Sequence, residues 1–223
     1  MNPKMKLLAI AVVAIIILAS ITTFNQIVKS KNAPAKIRVA CVGDSITRDS
    51  GYPEKLQSLL GPNYEVGNFG VDGSTVMLHS QRPYMNQTEF KDALDFQPQI
   101  VVIMLGTNDA NLNLTCYDST FEDDYSKLAI SFESLKTDPQ IWVTESPPIQ
   151  NNSIDLNASV FREKIIPHII NVSQSLNLPL IDVYDSFENH SDFFMDGVHP
   201  DTNGATLIAC DVAIAITPNG QAP

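Results

Sequence analysis

From residue 36 onward, short apolar runs alternate with longer stretches of helical spacing. Strand-like, β-branched segments lie at 37–42, 65–69, 100–105, 141–144 and 180–183, each bounded by glycine, proline or polar residues. Between and after them, apolar positions recur three and four residues apart at 52–60, 89–96, 121–135, 160–176 and 204–216, the period of a helix with one buried face. Pro167 falls inside the fourth of these and is expected to kink or split it. Asp201, Thr202 and Asn203 precede the last helix and supply its cap. The run Ile100-Val101-Val102-Ile103-Met104-Leu105 has no polar member, which marks a strand covered on both faces, as in a parallel sheet. The alternation predicts one three-layer α/β/α domain around a mainly parallel five-stranded sheet. No repeat, low-complexity tract or linker interrupts it.

The first 35 residues follow another pattern. Lys4 and Lys6 precede an unbroken small and apolar run over 7–19, and no acidic residue occurs before Asp44. This is the signature of an export signal or a membrane anchor. Counted through Phe24 the run is 18 residues long with Ser20, Thr22 and Thr23 inside it; a span needs about 20 apolar residues, so a cleaved signal peptide is favoured over a retained anchor. Cleavage at Ala33-Pro34-Ala35 and cleavage nearer Ser20 both fit. Lysines stand on both sides of the run and leave its orientation open. The expected organisation is a signal peptide or anchor over 1–35 and one domain over 36–223. The protein is then secreted or held in the secretory lumen, or else attached to a membrane through residues 7–24.

Composition narrows the function classes. With 44% hydrophobic and 17% charged residues, the chain is neither disordered nor a disulfide-dense mini-protein. It carries 14 basic and 25 acidic residues, a net charge of −11. Without Lys4, Lys6, Lys29 and Lys31, 10 of the 14 basic residues remain against the same 25 acidic ones, a net of −15. Nucleic acid is therefore not an expected partner, because a phosphate backbone requires a basic face. Cys41, Cys116 and Cys210 are too few and too scattered for a disulfide framework or a zinc site and read as mostly buried small hydrophobes. N-x-[ST] occurs at Asn86, Asn113, Asn151, Asn157, Asn171 and Asn189, an excess that points to a glycosylated secretory chain, with a composition rich in Asn and Ser as the alternative.

The candidate chemistry sits where an α/β sheet places it. The first strand runs into Gly43-Asp44-Ser45-Ile46, the second into Gly70-Val71-Asp72-Gly73 and the third into Gly106-Thr107-Asn108-Asp109. In open α/β sheets ligands bind beyond the carboxyl ends of the strands, so these three turns converge on one crevice. Asp196-Gly197-Val198-His199-Pro200 lies just before the last helix. Ser45 is the candidate nucleophile, which needs a base to remove its proton. His199 is the candidate base, because a neutral imidazole accepts a proton near neutral pH. Asp196 is placed to hold the second ring nitrogen, and Pro200 restricts the His199 backbone. The Ser45 N–H, the Gly70 N–H and the Asn108 amide are the candidate donors to an oxyanion.

Each of these residues alone has a plainer reading. Ser45 or Asp44 is by itself a helix cap, Gly70 and Gly73 are turn glycines, and Asn108 and Asp109 are turn formers. His79, His168 and His190 lack both the preceding Asp and the following Pro and are expected to be surface or structural. The joint pattern favours the catalytic reading.

Taken together, Gly43-Asp44-Ser45-Ile46-Thr47, Asn68-Phe69-Gly70-Val71, Gly106-Thr107-Asn108-Asp109 and Asp196-Gly197-Val198-His199-Pro200 resemble the sequence blocks of the SGNH (GDSL-type) esterase superfamily over about residues 37–216. The resemblance implies a flavodoxin-like fold, with Ser45, Gly70, Asn108 and His199 as the defining residues, Asp196 as the third triad member, and no cofactor. It implies ester hydrolysis, with carbohydrate O-acetylesterases, lysophospholipases and acyl thioesterases among its members. Two features depart from the pattern. Asp49 stands where the family often has glycine, and 111–117 carries its own sequon at Asn113 beside Cys116, where a glycan would shape access. No insertion is large enough for a lid domain, which favours an open site and small acyl groups. The expected function is removal of short acyl groups, acetyl above all, from carbohydrate. Two rivals are a metal-dependent phosphohydrolase using Asp44, Asp72 and Asp109, and a noncatalytic glycan-binding protein of the same fold.

Overall fold

The computed structural model describes residues 2–3, 18–20, 35–111 and 117–217. The chain divides into two compact units, Met1–Ala35 and Lys36–Pro223. Most of the 7–24 run, Ala33, Pro34, Asn113 and Cys116 lie outside the described residues. Among the described residues no helix is long and apolar enough to cross a membrane.

In the second unit, β1 (Ile37–Gly43) leads into a short helix α1 (Ser45–Asp49) and then α2 (Tyr52–Leu60). β2 (Tyr64–Gly70), α3 (Thr88–Asp95), β3 (Ile100–Met104), α4 (Tyr117–Glu133) and β4 (Gln140–Glu145) follow. A further helical rod starts as α5 (Ala158–Val160), widens into a π-helical turn at Phe161–Ile165 and continues as α6 (Ile166–Ser175). β5 (Leu180–Asp182) and α7 (Thr202–Ile216) complete the order. Pro167 stands in the first turn of α6, directly after the π turn. A proline cannot donate to the preceding turn, so the helix loosens there instead of ending. Asp201 alone caps α7, its carboxylate accepting from the Asn203 and Gly204 N–H groups at 2.7 and 2.9 Å.

All five strands run parallel in the order β2-β1-β3-β4-β5. Side chains alternate between the two faces, as the strand period of two requires. Val101, Ile103 and Leu105 enter one core with Phe121, Tyr125, Phe132 and Ile169. Ile100, Val102 and Met104 enter the other with Leu56, Leu60, Ile208 and Val212. β3 is buried along its whole length, which is why its sequence has no polar position. Cys41 is one of these packing residues, and burial pushes its thiol up to about 12. The strand order reverses between β1 and β3, and the crevice that opens at such a reversal is where an α/β sheet holds ligands.

Candidate active site

The site begins with a close approach of backbone to backbone. A Cβ on Gly43 would stand 2.7 Å from the Met104 carbonyl oxygen and 2.0 Å from Thr47 Oγ1, so only glycine lets α1 start against the end of β3. Asp44 is buried and accepts the Ile46 N–H at 2.9 Å, capping α1. Burial raises its carboxyl to about 6 against that donor. The cap fixes the first turn and with it Ser45.

The loop between β5 and α7 brings the partner groups. Asp196 Oδ1 accepts the Val198 and His199 N–H groups at 3.0 and 2.8 Å, and Asp196 Oδ2 lies 2.7 Å from His199 Nδ1. A carboxylate only accepts, so Nδ1 carries the hydrogen and Nε2 is left as the acceptor. Nε2 stands 2.9 Å from Ser45 Oγ. Burial works to raise the Asp196 carboxyl, but the His199 N–H, the His199 ring and the Val198 N–H outweigh it and hold the group below its ordinary range. The carboxylate thus stays ionised beside the ring it orients. Two backbone contacts hold the loop: Met195 N–H donates to the His199 carbonyl at 2.9 Å and Gln150 N–H to the Gly197 carbonyl at 2.7 Å. Gly197 has φ +86°, and a Cβ there would meet the Asn151 carbonyl oxygen at 2.2 Å.

Asn108 enters on the 3-10 turn Thr107–Ala110 that follows β3. One N–H of its amide goes to the Ser74 carbonyl at 3.0 Å, and the group lines the same cavity as Ser45 and His199. The neighbouring Asp109 is fully buried and accepts the Val76 and Met77 N–H groups at 2.9 and 3.0 Å, which fixes the loop that carries Ser74. Burial raises Asp109 to about 7 despite those two donors.

Gly70 is placed differently from the expectation. It is still a strand residue, in register with Gly43, and its N–H donates to Asn68 Oδ1 at 3.1 Å. A Cβ on it would meet the Arg48 backbone nitrogen at 2.3 Å. Gly70 therefore packs β2 against α1 and stands outside the cavity lining. The glycine that lines the cavity is Gly73, three residues later, with φ +63° and open space where a Cβ would be. Both glycines stand in the same turn block of the sequence, and only the pairing of β2 with β1 places Gly73 at the crevice.

The cavity in front of these groups measures about 680 Å³ and is lined by Ser45, Gly73, Asn108 and His199 together with Ile154 and Leu156 from the loop after β4. Periodicity gave no indication of Ile154 or Leu156. Asp49, the residue that departs from the family pattern, lies at the lip with Asp72, whose Oδ2 pairs with Arg48 Nη1 at 2.7 Å. Asp44, Asp72 and Asp109 do not converge. Each is turned to its own donor, and among the described residues no group of three His, Cys, Asp or Glu is arranged to hold a metal ion. The other histidines stand apart: His168 is 2.7 Å from Glu122, His190 stacks on Phe193, and His79 is exposed.

An acetylxylan esterase of Xylanibacter ruminicola is 35% identical over 219 residues, which take in 84% of this chain but 45% of that protein. The chain thus spans about half the length of that relative. Among solved structures, the acetyl xylan esterase AlAXEase superposes with a TM-score of 0.67 at 21% identity, over 81% of this chain and 100% of the other. The acetylxylan esterase Axe2 of Geobacillus stearothermophilus, in a catalytic mutant, gives 0.65 at 19% identity over 84% and 97%. At these identities the structures share the fold. The model of the GDSL-like lipase/acylhydrolase family matches residues 41–207. That stretch contains Ser45, Gly73, Asn108, Asp196 and His199, and the chain belongs to the GDSL-like lipase/acylhydrolase family.

Proposed function

We propose that the protein is a serine ester hydrolase that removes acetyl groups from carbohydrate through an acyl-enzyme. The observation that carries this reading is the relay from Asp196 through His199 to Ser45, at 2.7 and 2.9 Å, opening on a cavity of about 680 Å³. Ser45 Oγ attacks the ester carbonyl carbon as its proton passes to His199 Nε2. The carbonyl oxygen becomes an oxyanion held by the Ser45 N–H, the Gly73 N–H and the second N–H of the Asn108 amide. Collapse breaks the bond to the alcohol oxygen, which takes the proton from His199. A water then gives a proton to His199 and attacks the acyl carbon; acetate leaves and Ser45 regains its hydrogen.

Support for a short acyl group comes from the lining. Apart from Ile154 and Leu156 it is polar or small, and a long acyl chain requires an apolar channel. Support for a sugar alcohol comes from the similarity to the acetylxylan esterase of Xylanibacter ruminicola. An export segment within 1–35 fits an enzyme whose polymeric substrate lies outside the cell. The test is p-nitrophenyl acetate hydrolysis by the full chain in EDTA, with and without Ser45→Ala. Metal-independent turnover that the substitution abolishes is expected; turnover that survives it would overturn the assignment. Acetylated xylose against p-nitrophenyl octanoate then reads the substrate class, and a preference for the octanoate would replace carbohydrate by lipid.

A further inference from the structure

Beside the catalytic cavity lies a second one, of about 310 Å³, lined by Gln150, Asn151, Asn152, Leu156, Asn157 and Ala158. Leu156 lines both, so the two adjoin. The second lining has no charged side chain, although the first has Asp49, Asp72 and Arg82. Neutral amides both donate and accept, which suits hydroxyl groups that do the same.

The backbone of this loop is held at Gln150, Ile154, Leu156 and Asn157. Asn152 Nδ2 donates to the Gln150 and Leu156 carbonyls, both at 3.0 Å, while its Oδ1 accepts the Ile154 N–H at 3.1 Å. Asn157 Oδ1 accepts the Ser159 and Val160 N–H groups, and Asn157 N–H donates to the Ala110 carbonyl at 3.0 Å. Leu156 also bridges to Asn111, next to the turn that carries Asn108. The side-chain amides of Gln150 and Asn151 make none of these bonds. Two amides without structural duty thus stand on a fixed backbone, beside an Ile154 that leaves 43% of its surface exposed. A rigid platform of this kind binds without first being ordered.

We propose that the loop 150–157, with its Asn151 and Asn157 sequons unglycosylated, is a carbohydrate subsite. Gln150 and Asn151 bind the hydroxyls of a neutral sugar residue next in the chain to the acetylated one, and Ile154 and Leu156 pack against the C–H face of the sugar. This rests on the esterase reading for its biological sense, but its binding does not depend on the chemistry. Calorimetry of the Ser45→Ala protein with unacetylated xylotetraose reads the platform alone. Saturable binding, weakened about tenfold when two net hydrogen bonds are removed by Gln150→Ala and Asn151→Ala, is expected. Absence of binding, or binding that the double substitution leaves intact, would overturn the subsite whatever the esterase assay shows. A Gln150→Glu and Asn151→Asp pair keeps the shape, removes the donors and should weaken binding at least as much. In the active enzyme, kcat/KM on acetylated xylotetraose relative to acetylated xylose should fall by a similar factor in either double variant. An unchanged ratio would count against it. Loss of ester hydrolysis with binding retained would instead remove the acetylesterase reading and keep the subsite.

Discussion

Asn108 commits one N–H of its amide to the Ser74 carbonyl, which aims the other into the cavity. Asn108→Ala is therefore expected to lower kcat on p-nitrophenyl acetate by about 10²–10³-fold, the usual cost of one oxyanion donor, with a much smaller change in KM. A normal kcat in steady-state assay would remove Asn108 from the mechanism. The two glycines after β2 separate by stability. Gly70→Ala drives a methyl to 2.3 Å of the Arg48 nitrogen, whereas Gly73→Ala meets nothing and carries only the left-handed backbone cost, about 1–2 kcal/mol. Thermal melts should show the larger drop for Gly70→Ala; the reverse order would cancel the packing role given to it. At this scale the sequence was informative where blocks are short and self-contained. Asp196 and His199 lie three residues apart and find each other within one turn, and Ser45 follows its own cap. Gly70 and Gly73 were not separable, because which glycine faces the crevice depends on the pairing of β2 with β1, a contact between segments.

The same distinction holds for whole elements. Strand positions were legible to within a residue or two, since apolar runs between turn residues admit few other readings. Helix ends were less so: α1 has only five residues, too few for a period to show, and α4 begins at Tyr117, before its apolar spacing becomes regular. The loop after β4 has no period, and its shape is set by Asn152 and by contacts with two other loops. One of those contacts is open to test. Gly197→Ala combines a φ of +86° with a 2.2 Å approach to the Asn151 carbonyl oxygen, so either the triad loop or the 150–157 loop must move. A small displacement of a base from its nucleophile is costly, and kcat should fall by about tenfold or more while the far-ultraviolet circular dichroism spectrum is retained. An unaltered kcat would mean that the two loops are not rigidly joined.

Across the molecule, the buried carboxyls behind the site tie stability to pH. Asp44 and Asp109 stand at about 6 and about 7 in the folded chain, above the ordinary aspartate value of about 3.9. A raised acid keeps a proton that the unfolded chain has lost. Its stabilising contribution is complete below about pH 4 and declines as pH rises through 6 and 7. Asp109→Asn removes one of these groups and leaves one of two N–H donors unserved, a cost of about 1–3 kcal/mol. Urea midpoints at pH 5 and 8 should therefore show a lower but flatter profile for the variant; parallel profiles would show that Asp109 does not titrate in this range. The bond from Gln150 N–H to the Gly197 carbonyl bears on how the proposed esterase can be redesigned. Loop length is fixed by that tether at one end and by Ala110 at the other, so insertions between them would disturb the acid–base pair before they altered selectivity. In the proposed subsite, new sugar preferences are accessible instead through side chains alone, at 150, 151 and 154, with the backbone of the loop left as it is.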